Sequence, residues 1–247
     1  MSETTSTGKE TPTVQEQLAA QTPKVEEQIE KQIESGKLRE PQDLPLATNN
    51  DKPLISFDFD GVICRPPFGQ NRVLGRLLHE EELPENIRMV DGPATTLKRQ
   101  IYLQARGLVE DLKYLGRDPM AAAREGIIAV SQYRTPIIIT GRSYMAKSII
   151  DAWLKKYKME EYFSAIYANN TALPTRQFKL YMLRRLNIDE HVDDDGAITY
   201  YLAKKGVKQL FLRDWSANQG LPYPANVTHF TNIAEIAQYL SRARVQS

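Results

Sequence analysis

The chain has 247 residues, 41% of them hydrophobic and 26% charged, with a formal net charge of +1. That length fits one domain, or one with a small second piece, and the near-neutral charge gives no whole-protein attraction to nucleic acid or to an anionic membrane. The single cysteine, Cys64, excludes a disulfide framework and a thiolate zinc finger.

The N-terminus is polar, without an apolar stretch behind a basic start, and no apolar run is long enough to cross a bilayer. A soluble, cytoplasmic protein is expected. Residues 1–52 contain no aromatic residue and carry ten acidic against six basic side chains. Such a segment buries too little apolar area to offset its ordering entropy, so a disordered polar tail is expected. Within it, 14–38 places Leu18, Val25, Ile29 and Ile33 loosely on one helical face, interrupted by Pro23.

At Leu54 the character changes. Leu54-Ile55-Ser56-Phe57 reads as a short buried strand that runs into Asp58-Phe59-Asp60-Gly61. After Val62-Ile63-Cys64 comes a Pro/Gly turn cluster, then helical periodicity over 71–82 and again through Leu97, Ile101, Leu108, Leu112 and Leu115. Beyond Gly116, helix and strand alternate. Helices are expected over 119–132, 144–158, 175–186 and 198–205, and from about Asn232. Strands are expected over 135–139, 163–168, 190–192, 207–212 and 227–230. That alternation argues for a parallel sheet covered on both faces.

Four features in this order could carry chemistry. One strand ends in Asp58-x-Asp60-Gly61, and a second ends in Thr140-Gly141-Arg142. Lys179 sits near the start of a later helix, and Asp193-Asp194-Asp195 follows a short apolar lead-in. Ligands of an open parallel sheet bind beyond the carboxyl ends of its strands. Carboxylates gathered there repel one another unless a cation lies among them, and hard oxygen ligands suit Mg²⁺. One carboxylate can attack phosphorus, and a second can pass a proton to the leaving oxygen. A threonine, backbone N–H groups and a lysine can hold the phosphoryl oxygens.

The set Ile55–Ile63, Ile137-Ile138-Ile139-Thr140-Gly141-Arg142-Ser143, Phe178-Lys179 and His191-Val192-Asp193-Asp194-Asp195 resembles the haloacid dehalogenase (HAD) superfamily over about residues 53–245. The resemblance implies an α/β fold, a three-layer Rossmann-like parallel sheet with a small α-helical cap insertion. It divides the chain into a core of 53–64 and 117–247 and a flap and cap of 65–116. It implies Asp58 as nucleophile and metal ligand, and Asp60 as general acid/base with its carbonyl on the metal. Thr140 and Gly141 would hold the phosphoryl group, Lys179 would stabilise the aspartyl-phosphate, and Asp193 and Asp194 would hold Mg²⁺. Asp195 stays open as an alternative ligand, and Arg176, Arg184 and Arg185 stay open as alternatives to the lysine. An aspartate at position 60 implies phosphatase or phosphotransferase chemistry, and a modest cap implies a small phosphorylated substrate. Nucleic acid is not indicated.

Other assignments fit less well. Asp58-x-Asp60-Gly61 alone could be a strand-ending turn, and it lacks the later ligands of an EF-hand. A metal-binding Asp-x-Asp of the glycosyltransferase kind leaves Thr140 and Lys179 unexplained. A thiol phosphatase needs an arginine six positions after Cys64, where Gln70 stands, so Cys64 reads as a small apolar residue under the flap. The three histidines form no metal-ligand pattern, and a structural role is expected for His191. Arg213 and Asp214 end a strand and, with Arg142, are candidate substrate contacts. The competing expectation is an Arg–Asp pair that fixes the Pro-rich loop after them. A phosphotransferase, a nucleic-acid-end phosphatase and a HAD-like binding module with little turnover remain the alternative functions.

Overall fold

Six short strands form one sheet in the computed structural model of the chain, which describes residues 52–66, 116–143, 146–171 and 173–246 together with Glu30, Lys31 and Ser35. The strands are β1 (Leu54–Phe57), β2 (Thr135–Ser143), β3 (Ile166–Asn169), β4 (Glu190–Asp193), β5 (Gln209–Arg213) and β6 (Val227–Phe230). Their order is β3-β2-β1-β4-β5-β6, and every pairing is parallel. The helices are α1 (Ala123–Ser131), α2 (Ala146–Lys156), α3 (Thr175–Arg185), α4 (Gly196–Lys204) and α5 (Ile233–Gln246).

The strands alternate their side chains between two cores, as their period of two requires. Ile55, Phe57, Ile138 and Val192 pack with Ile127 of α1, Trp153 of α2 and Ile236 of α5. Ile137, Ile139 and Leu210 face the other way, onto Phe178 and Met182 of α3 and Leu202 of α4. The result is a three-layer α/β/α arrangement in which the inner strands β1, β2 and β5, covered on both faces, are the most continuously apolar.

Differences from the expected elements have local causes. β2 runs on to Ser143, so Thr140 and Gly141 lie inside the strand; its register with β3 shifts between Thr140 and Ser143. α1 starts at Ala123 rather than 119 because Pro119 bridges to Cys64 and the Met120 N–H donates to the Ile63 carbonyl. α5 starts where its capping residues dictate: the Ala234 N–H donates to Asn232 Oδ1, and Glu235 accepts from the Asn232 N–H.

The cap helices expected within 65–116 lie outside the described residues, apart from Arg65, Pro66 and Gly116. So does the tail, except near one contact. Glu30 and Lys31 are helical, and Tyr181 of α3 donates to Glu30 Oε1 at 2.6 Å while accepting from Arg185 at 2.9 Å. At that point the N-terminal segment touches the core, within the 14–38 stretch that carries the helical spacing. Among the described residues no helix is long and apolar enough to cross a membrane.

Candidate active site

The chain runs outward from β1 through β2 to β3, then returns to start β4 on the other side of β1. The carboxyl ends of β1 and β4 therefore flank the switch point of the sheet, where a crevice forms. Asp58 follows β1 directly, and its N–H donates to the Val192 carbonyl of β4 at 2.8 Å. Asp193 is the last residue of β4. The two ladders thus deliver two carboxylates to adjacent positions at the same edge.

Lys179 reaches this edge from α3. Its ammonium is 2.9 Å from Asp58 Oδ1 and 2.7 Å from Asp193 Oδ2, and its side chain is 1% exposed. Asp193 is tied down further: its Oδ1 accepts from the N–H groups of Asp194 (2.9 Å) and Asp195 (3.1 Å), and its Oδ2 lies 3.0 Å from His191 Nε2. Burial works against the Asp193 carboxylate, but Lys179 and His191 outweigh it and hold the group well below the usual carboxylate range. Burial likewise works against the Lys179 ammonium, and Asp193 and Asp58 outweigh it, so the lysine stays charged above its ordinary value. Asp58 goes the other way. Burial, opposed by Lys179 and aided by Asp193 and Asp60, pushes its carboxyl from 3.8 up to about 7.

Asp60 is built into a tight turn. The Ile63 and Cys64 N–H groups both donate to the Phe59 carbonyl, the Gly61 N–H donates to the Cys64 carbonyl, and Gly61 adopts φ +67°. A Cβ on Gly61 would fall 1.8 Å from Asp194 Oδ2, so glycine is required both by the turn and by the neighbouring carboxylate. The Asp60 side chain, 23% exposed, is gripped by two arginines: Arg142 Nε bonds Oδ2, and an Arg117 terminal nitrogen lies 3.0 Å from Oδ1. Arg142, expected among substrate contacts, thus touches Asp60. Arg117 was not singled out from the sequence; 57 positions separate it from Asp60 and no local pattern links them.

The remaining expected residues divide. Thr140 is buried, and its Oγ1 accepts from the Arg142 N–H at 3.4 Å. Gly141 meets the start of α3 so closely that a Cβ there would lie 2.2 Å from Thr175 Cγ2. Asp195 caps α4 by accepting from the Ala197 and Ile198 N–H groups, which explains the third aspartate of the run as a helix-starting residue. Arg213 donates to the carbonyls of Thr231 (2.8 Å) and Val62 (3.1 Å) and is 6% exposed. It therefore braces the turn after β1. Asp214 Oδ1 instead lies 3.7 Å from His229 Nδ1. Cys64 is buried, as expected, and burial pushes its thiol up to about 12. Asn218, at the start of the Pro-rich loop after Asp214, is fully buried and donates to the carbonyls of Asp194 (3.0 Å) and Arg213 (2.9 Å), fixing the loop that carries Asp194.

Asp58, Asp193 and Asp194 each offer an oxygen within 4.8 Å of the others. Lys179 contacts two of the three, and Arg213 interacts with Asp194 at longer range. Buried carboxylate oxygens gathered this closely are the hard donors that a divalent cation takes. The donor set fits such an ion.

No protein-family model matches the chain, and no curated protein matches it. Its fold is similar to that of several solved structures. One is a HAD-superfamily hydrolase, subfamily IA, variant 1, from Geobacter sulfurreducens PCA, with 15% identity over 78% of this chain and 99% of that one and a TM-score of 0.43. Another is a haloacid dehalogenase-like family hydrolase from Streptococcus pneumoniae, with 13% identity over 76% and 98% and a TM-score of 0.45. A third is a putative β-phosphoglucomutase from Thermotoga maritima, with 16% identity over 77% and 99% and a TM-score of 0.46.

Proposed function

We propose that the protein is a HAD-type, Mg²⁺-dependent phosphomonoester hydrolase working through an aspartyl-phosphate on Asp58. The observation that carries this reading is the Asp58–Lys179–Asp193 chain at the switch point, with Asp194 beside it. Lys179 occupies Asp58 Oδ1, so Oδ2 is the oxygen that attacks phosphorus. As the Oδ2–P bond forms, the ester P–O bond breaks and Asp60 gives its proton to the leaving oxygen. Asp60 then takes a proton from water; the water oxygen attacks phosphorus, the Asp58–P bond breaks, and inorganic phosphate and the Asp58 carboxylate are regenerated.

Asp58, Asp194 and the Asp60 carbonyl would hold the ion, with Asp193 beside them. When bound, Mg²⁺ supplies positive charge that keeps Asp58 ionised and offsets the charge of the phosphoryl group. Lys179 neutralises the phosphoryl oxygens nearest Asp58, and Thr140 Oγ1 with the N–H groups of 141–142 offers donors to the others. Arg117 and Arg142 orient Asp60 and place positive charge beside it, which favours an anionic substrate.

The test is phosphate release from a panel of small phosphomonoesters, with Mg²⁺ or with EDTA, comparing the natural protein with Asp58→Asn. Turnover that needs both the ion and Asp58 is expected. Turnover undiminished in Asp58→Asn would overturn the mechanism. Absence of turnover on the whole panel would replace it with the binding-module alternative or a macromolecular substrate.

A further inference from the structure

A fully buried histidine and serine lie directly behind the charge chain, and the steps above use neither. His191 stands two residues before Asp193 on β4, so both side chains leave the same face of the sheet. Ser56 lies opposite His191 in the parallel register of β1 and β4. Both are 0% exposed, in a layer whose neighbouring strand positions are apolar. A polar pair placed there costs stability unless every group finds a partner.

Every group does. His191 Nε2 is 3.0 Å from Asp193 Oδ2, and Nδ1 is 2.8 Å from Ser56 Oγ. A carboxylate only accepts, so the imidazole proton facing Asp193 sits on Nε2, and the Nδ1 lone pair accepts from the Ser56 hydroxyl. Ser56 Oγ also lies 3.2 Å from the Glu190 carbonyl, the weaker of its two contacts. Asp193 then receives four donors: Lys179 and His191 on Oδ2, and the Asp194 and Asp195 amides on Oδ1. Four donors fill the acceptor directions of a carboxylate and leave it one orientation. That orientation sets where Lys179 sits, and Lys179 sets Oδ1 of Asp58.

We propose that His191, oriented by Ser56, is a positioning residue: its Nε2–H locks Asp193, and through Asp193 and Lys179 it fixes the attack geometry of Asp58. The role of Asp58 as nucleophile is taken from the function proposed above; the mechanical coupling from His191 to Lys179 stands independently of it. Because Asp193 is filled by protein donors, its main contribution is a fixed negative charge behind Lys179. Partners that orient the groups contacting a metal or a reacting atom are commonly worth about 10–100-fold in affinity or activity.

The experiment compares His191→Gln with His191→Asn. The Gln amide nitrogen reaches the place of Nε2 and keeps a donor for Asp193, whereas the Asn amide reaches only the place of Nδ1. Each variant is checked by thermal melting. Two readouts follow: the ¹⁵N signal of the Lys179 ammonium in the full-length protein without substrate, and Mg²⁺-dependent hydrolysis of p-nitrophenyl phosphate. The expected result is a Lys179 signal kept in His191→Gln and displaced in His191→Asn. For hydrolysis, kcat should fall about 10–100-fold in His191→Asn, with KM within about twofold and most of kcat restored in His191→Gln. Should His191→Asn fail to fold, Ser56→Ala leaves the ring in place without its orienting hydroxyl, and it should displace the same Lys179 signal. A Lys179 signal identical in all variants would overturn the proposal whatever the activity. A displaced signal in a protein that hydrolyses nothing would leave the positioning role standing and remove the hydrolase reading instead.

Discussion

Replacing Asp58 by Asn should stabilise the protein in the absence of divalent ions, and the gain should grow with pH. Asp58 titrates at about 7 in the folded chain, against 3.8 for an ordinary aspartate, because burial outweighs the attraction of Lys179. Between those two values the folded state binds a proton that the unfolded state has released. The stability contributed by the protonated carboxyl is therefore complete below about pH 4 and is lost as pH rises through about 7. At about 1.4 kcal/mol per pH unit, the loss is on the order of 4 kcal/mol by pH 8. An Asn amide has no such proton to release. Asp195, raised to about 6 by burial and by Asp193, contributes a slope of the same sign. It is present in both proteins and cancels in their difference. Urea unfolding at half-unit intervals from pH 4.5 to 8.5, in EDTA, measures the two stability curves. They should diverge as pH rises, with Asp58→Asn the more stable, and Mg²⁺ should close the gap at pH 8 by stabilising the natural protein. Parallel curves would refute both the buried, carboxylate-crowded environment of Asp58 and the need for a cation that follows from it.

Removing the lysine should act in the opposite direction. Lys179→Met leaves Asp58 and Asp193 without their shared partner; a loss of about 3 kcal/mol is expected in EDTA at pH 8, with a larger rise in melting temperature on adding Mg²⁺ than in the natural protein. Gly61→Ala drives a methyl group into Asp194 at a left-handed backbone position, so calorimetric titration with Mn²⁺ should show at least about tenfold weaker binding. Asn218→Ala removes the donors to the Asp194 and Arg213 carbonyls and should cost about 1–3 kcal/mol in urea unfolding.

The parts of the site visible in the sequence are those carried by strand ends. Asp58 and Asp193 stand at the ends of β1 and β4, and Thr140 closes the apolar part of β2, so the parallel sheet brings all three toward one edge whatever the loops do. Lys179 was visible as a lysine near the start of a helix. The helix phase that turns it inward is set by Phe178 and Met182, which anchor α3 on the core. The three aspartates in a row could not be sorted from sequence, because a metal ligand and a helix cap use the same carboxylate. Only the direction of α4 makes Asp195 the cap. Arg117 and the Ser56–His191 pair were missed or read as structural for a related reason. Each acts across a long separation, 135 positions for Ser56 and His191, and a single polar residue in a strand has no periodicity to mark it.

What links the buried pair to the open site is the way charge is distributed along it. Asp193 is stabilised well beyond an ordinary aspartate, whereas Asp58, which shares the same lysine, is left near neutrality. The asymmetry follows from the partner count. Asp193 has four donors and Asp58 has the lysine on one oxygen, so burial is compensated at the first carboxylate and uncompensated at the second. A carboxylate left short of partners at the mouth of a crevice has an oxygen available for a phosphorus atom. A carboxylate saturated behind it cannot compete for that role. The same fold places both at strand ends two residues beyond a paired Ser56 and His191, so under the proposed mechanism the division of labour between Asp58 and Asp193 originates in which of the two the imidazole faces.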